Sequence, residues 1–239
     1  MLVAYAGTRY EGWQSQRKGN TVQEHIERAL ARLAGAKVNV LGSSRTDSGV
    51  HAEGLVAHFK ADIDMAPARL RQALNHLLPP DIQVRAIRIA PEGFHARYGA
   101  RSKVYRYQIW TGRERPLFEA PYWLWYHGQL DIPAMRQAAR RLVGKHDFAA
   151  FKDSGDEKKI TVRTVKALRI RKEAQKVIIR IEADGFLTHM VRIIVGTLID
   201  VGRGRKAPAD IDRILLSKDR RQAGPTSKAL GLFLEKVRY

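Results

Sequence analysis

The chain has 239 residues, 43 Lys plus Arg against 24 Asp plus Glu, a formal net charge of +19 and no cysteine. Hydrophobic residues make up 44% and charged residues 28%, the balance of a folded chain rather than a disordered one. The missing thiols exclude a disulfide scaffold, thiolate zinc sites and iron–sulfur clusters.

The charge is ordinary in density and skewed in sign. It points to a polyanionic partner, nucleic acid first and an anionic membrane surface second. A merely solubilising basic surface is the plain alternative. No membrane span is expected. The longest apolar stretch, residues 187–201, is interrupted by His189, Arg192 and Asp200, and a span needs about 20 apolar residues. The opening MLVAYAGTRY has no basic segment followed by an apolar one, so no secretory signal is expected.

Strands and helices alternate, which predicts an α+β protein. Residues 2–6 read as a strand, and TRYEGWQSQRKGN after them as a loop. Thr21 and Glu24 have the spacing of a capping box. Val22, Ile26, Ala29, Leu30 and Leu33 form one helical face, with Gly35 as the stop. Residues 38–41 read as a strand, SSRTDSG as a turn, and the alternation at 55–59 as another strand. A helix is predicted over 67–78, ended by Pro79 and Pro80, then a strand over 82–89. The second half repeats the rhythm: strand 103–110, helix 133–143, strands 165–171 and 177–183, a buried helix 188–201, a shorter helix 208–216 and a strand 230–239. This predicts two pseudo-symmetric α+β units, 1–100 and 101–239. A cleft between two such units is a common place for a ligand.

Three segments could carry chemistry. In SSRTDSGVHA, residues 43–52, small turn-forming residues surround one Arg, one Asp and one His. A turn after a strand presents polar side chains at a sheet edge, where sites are common. By spacing alone, Asp47 could equally make an Asx-turn with Arg45 as its surface partner. In GFLTHMVRIIVG, Arg192 lies in a helix apolar on nearly every side. It must either snorkel to water or meet a carboxylate. In KVYRYQIW, Tyr105 and Tyr107 share one strand face and Arg106 the other. Such tyrosines can stack on bases or simply fill a core. There is no HExxH, Walker loop, GxGxxG after a strand or GxSxG elbow, so no metal site is expected. The basic clusters GRGRK, with Arg203 and Arg205, and KDRR fit phosphate contacts or a solvated face.

Together these segments resemble the TruA family of tRNA pseudouridine synthases. The resemblance is carried by YAGTRYEGWQSQ, TVQEHIERAL, SRTDSGVHA, FHAR followed by VYRY, GKHDFAAF, GFLTHMVR and AGPTSKALGLFLEKVRY, in that order. Ala6, Ser44, Leu55 and Ile193 depart from common family residues. The resemblance implies a pseudouridine-synthase fold: two units with joined mixed or antiparallel sheets, helices outside and a central cleft. The first unit would carry the catalytic turn and the second would complete the cleft. It implies an isomerase, an intramolecular transferase, converting uridine to pseudouridine at positions 38, 39 and 40 of the tRNA anticodon stem-loop. A catalytically silent RNA-binding module of the same fold is the alternative. The resemblance makes Asp47, Tyr105 and Arg192 catalytic, and Arg45, His51 and Arg97 RNA-binding; the local basic cluster adds Arg203 and Arg205. No cofactor, no metal and no membrane are implied. A cytoplasmic homodimer with tRNA as partner is.

Overall fold

The computed structural model describes residues 1–16, 19–157 and 159–239. Residues 17 and 18 of the expected loop lie outside these. By internal contact the chain divides into two compact units, Met1–Arg101 with Phe233–Tyr239, and Ser102–Leu232.

The first unit contains β1 (Leu2–Tyr5), α1 (Val22–Ala34), β2 (Val40–Gly42), β3 (His51–Phe59), α2 (Pro67–Leu77) and β4 (Ile82–Ala86). β1 pairs antiparallel with both β3 and β4, and β2 pairs antiparallel with β3. The amphipathic faces expected for α1 and α2 supply the core: Val22, Ile26, Leu30 and Leu74 are buried, as are Val3, Leu55 and Val84. The capping box at Thr21 does not form. Thr21 sits at the N-cap with extended backbone, but its side chain makes no cap bond. The first helical N–H groups are already used: Val22 donates to the Gly12 carbonyl and Gln23 to the Trp13 carbonyl. The Thr21 hydroxyl is left buried without a partner.

The second unit contains β5 (Ser102–Trp110), β6 (Leu124–Trp125), α3 (Ile132–Arg141), β7 (Gly144–Asp147), β8 (Val162–Glu173), β9 (Lys176–Ala183), α4 (Met190–Gly202) and α5 (Asp210–Ser217). Its sheet runs β5-β9-β8-β7, antiparallel throughout, and β6 adds parallel to β5. Tyr107, Ile179 and Ile170 stand opposite one another across three strands. That face of β5, β9 and β8 is buried, as alternation demands. α3 begins at a true cap, where the Asp131 carboxylate accepts the Ala134 N–H at 2.9 Å.

The closing strand β10 (Leu232–Arg238) was expected in the second unit. Residues 233–239 group with the first, because β10 runs parallel to β3, with Phe233 opposite His51 and Leu234 opposite Ala52. Among the described residues no helix is long and apolar enough to cross a membrane.

Candidate active site

The turn that carries Asp47 joins β2 to β3 and is tied down on several sides. The Tyr5 hydroxyl bonds Thr46 Oγ1 at 2.8 Å, and the Trp13 N–H donates to the Thr46 carbonyl at 3.2 Å. The Asp47 carbonyl accepts the Val50 N–H at 3.1 Å, which closes the turn. Gly49 adopts φ +77° inside it, a conformation that costs other residues energy. Gly7 packs from below: a Cβ there would lie 2.0 Å from the Val50 carbonyl oxygen, so only glycine fits. Thr46 and Ser44 are buried, Asp47 is half-buried and Arg45 is exposed. The Ser44 hydroxyl is buried without a hydrogen-bond partner. The segment thus presents alternate residues, Arg45 and Asp47, from a fixed backbone.

His51 needs a correction. It was expected to touch RNA, yet it is fully buried at the start of β3. Its Nδ1 accepts the Gly7 N–H at 3.0 Å, and its ring stacks on Phe233 at 4.6 Å. Its neighbour Ala52 is buried as well, so this end of β3 is covered on both faces, and His51 holds the turn from behind.

In the second unit, Tyr105 lies on β5 with only 7% of its surface exposed. Its ring meets Phe186 edge-on, centroids 5.0 Å apart. Tyr107, two residues on, is structural: its hydroxyl donates to the Lys228 carbonyl at 2.7 Å, and burial pushes the phenol well above its ordinary value. Arg192 is half-buried on α4, a helix otherwise buried from Met190 to Gly202. Full snorkelling does not occur. Its Nε–H donates to the Ser227 carbonyl at 2.7 Å, while the Ser227 N–H donates to the Arg192 carbonyl at 3.1 Å. This reciprocal pair fixes the guanidinium against residues 35 positions away in sequence.

The start of α4 is held by a second clip. His189 adopts a left-handed φ of +59°, and its Nδ1 lies 2.6 Å from Asp153 Oδ2. The Asp153 N–H donates to the Thr188 carbonyl, and Asp156 accepts the Thr188 N–H. The Gly155 N–H, then His189, hold the Asp153 carboxyl below the usual carboxylate range. Sequence reading did not single out Phe186, Asp153 or Ser227. Their roles depend on loop-to-helix contacts, which leave no periodic signal.

Of the remaining predicted RNA contacts, Arg97, Arg203 and Arg205 are exposed. The Arg97 guanidinium lies 5.7 Å from the Tyr98 ring centre, and that of Arg203 lies 5.9 Å from Tyr126. Arg205 is 4.0 Å from Asp200. Among the described residues no three His, Asp or Glu side chains cluster so as to hold a metal ion.

A family model for tRNA pseudouridine synthases matches residues 1–99 and 138–239. The chain belongs to the tRNA pseudouridine synthase family. Relatives agree over its full length. The tRNA pseudouridine synthase A of Geobacillus kaustophilus is 43% identical over 239 residues, covering 100% of this chain and 93% of the relative. The tRNA pseudouridine synthase A 2 of Clostridium perfringens is 44% identical, covering 100% and 98%. The tRNA pseudouridine synthase A of a Thermoanaerobacter species is 45% identical over 240 residues, again covering 100% and 98%. Two residues that depart from common synthase residues, Leu55 and Ile193, are fully buried.

Proposed function

We propose that the protein isomerises uridine to pseudouridine in the tRNA anticodon stem-loop, at positions 38, 39 and 40. The observation that carries this reading is the built turn 43–50, which holds Asp47 half-exposed on a fixed backbone within a chain of the synthase family.

The reaction breaks the N1–C1′ bond, turns the uracil and joins C5 to C1′. No atom leaves, so no external energy source is needed. The target base first leaves the stack, at a cost of a few kcal/mol repaid in a fitted pocket. Asp47 supplies the carboxylate at the sugar, as nucleophile or as base. Arg192, fixed by Ser227, supplies the cation that favours the anion. Tyr105 stacks on the uracil, and its hydroxyl relays the C5 proton, passing on its own proton as C5–H is taken, while the freed N1 gains a proton, so none is gained or lost overall. Arg45, exposed beside Asp47, helps displace the target base. Arg97, Arg203 and Arg205 contact phosphates. The first unit carries the catalytic carboxylate, and the second carries the tyrosine and the arginine. The enzyme works as a cytoplasmic homodimer, one tRNA touching both subunits.

Incubating the protein with unmodified tRNA transcripts tests the assignment. Mass spectrometry and site mapping are expected to show pseudouridine at positions 38 to 40. Pseudouridine confined to another arm of the tRNA, or none at all, would refute it.

A further inference from the structure

We propose that Tyr98, flanked by Arg97, is a stacking platform for an unpaired base of the RNA substrate. This rests on the reading that the protein acts on tRNA.

The platform begins with an exposed ring. Tyr98 has 79% of its surface exposed. An exposed ring over a fixed turn can stack on a base. The backbone beneath it is fixed. The Ala96 N–H donates to His58 Nδ1 at 3.2 Å, and the N–H groups of Arg97 and Tyr98 both donate to His95 Nδ1, at 3.1 and 3.2 Å. The Gly99 N–H donates to the His95 carbonyl at 2.9 Å. Four successive donors are therefore satisfied, and the turn has little freedom left. Ala96 is fully buried, and its carbonyl accepts the Tyr239 hydroxyl at 2.7 Å.

The rings form a continuous support. His58 meets His95 at 4.8 Å, and His95 meets the Tyr98 ring at 4.3 Å, tilted by 36°. Phe94 and Tyr239 close the group at 5.2 Å. Burial, and then the neighbouring His95, hold His58 below the ordinary imidazole value. That keeps its Nδ1 an acceptor near neutral pH. A ring mounted this way loses little entropy on binding.

Charge selects the occupant. The Arg97 guanidinium lies 5.7 Å from the Tyr98 ring centre, and the chain carries +19. An aromatic face with an adjacent arginine suits a base and its phosphate, because every base offers a π-face and every nucleotide an anion. A second protein surface would need neutral or acidic complementarity.

The test compares tRNA affinity across salt for wild type, Tyr98→Ala, Tyr98→Phe and Arg97→Gln. Tyr98→Ala is expected to weaken binding roughly five- to a hundredfold with an unchanged slope of log affinity against log salt. Tyr98→Phe keeps the ring and is expected to bind like wild type. Arg97→Gln is expected to reduce the magnitude of the slope by about 1. Wild-type affinity in Tyr98→Ala would overturn the platform. So would a loss in Tyr98→Phe equal to that in Tyr98→Ala, or a change of oligomeric state in sedimentation without loss of affinity. Pseudouridine formation by wild type is measured alongside. Its absence would count against the enzyme reading, while its presence with an indifferent Tyr98→Ala would remove only the platform.

Discussion

Two tyrosines on one strand face have different surroundings. Tyr107 spends its hydroxyl on the Lys228 carbonyl, so it belongs to the core. Tyr105 has its ring fixed edge-on against Phe186. Tyr105→Phe keeps the ring and removes only the hydroxyl, the group proposed to handle the C5 proton. Single-turnover pseudouridine formation on bound tRNA is expected to fall by about 100-fold or more, the usual scale of a general base, with tRNA affinity nearly unchanged. Undiminished turnover would leave Tyr105 with stacking alone. His51 shows how a motif can mislead at this scale. The resemblance around RTDSGVHA implied an RNA contact, but His51 packs against Phe233 and accepts from the Gly7 N–H in the covered start of β3.

Helix ends give the sharpest contrast among the elements. The Asp131 carboxylate caps α3, whereas Thr21 stands at the cap of α1 without capping it. Asp131→Ala is expected to destabilise the protein by about 1 kcal/mol. Thr21→Val removes a buried, unpartnered hydroxyl and is expected to be neutral or slightly stabilising. Urea unfolding measures both, and a loss at Thr21→Val as large as at Asp131→Ala would contradict the contrast. The long elements were legible because their apolar periodicity is long: α1, α2, β5, β9 and α4 lie where the pattern put them, with ends shifted by one or two residues. β6 was not legible, since Leu124–Trp125 is too short to show a period. β7, Gly144–Asp147, was missed because its sequence GKHD does not alternate apolar with polar. In the site, Arg192 stood out as a charge in an apolar helix. Its partner Ser227 did not, because a carbonyl 35 residues away leaves no mark on composition or spacing.

At the scale of the whole molecule, affinity and chemistry separate. The net charge of +19 is spread over the chain, and phosphate contacts of this kind dominate affinity and its salt dependence. The proposed chemistry rests on the Asp47 carboxylate, with Arg192 proposed as the cation that supports it. Groups that act as one unit are strongly non-additive when removed. The most direct measurement is therefore pseudouridine formation by purified, folded Asp47→Asn, Arg192→Met and the double variant, each with its tRNA affinity. Asp47→Asn is expected to form no pseudouridine while binding tRNA within about twofold of wild type, because phosphate contacts supply most of the affinity. Arg192→Met is expected to be severely impaired, and the double variant little worse than Asp47→Asn alone. Substantial pseudouridine formation by Asp47→Asn would contradict the account.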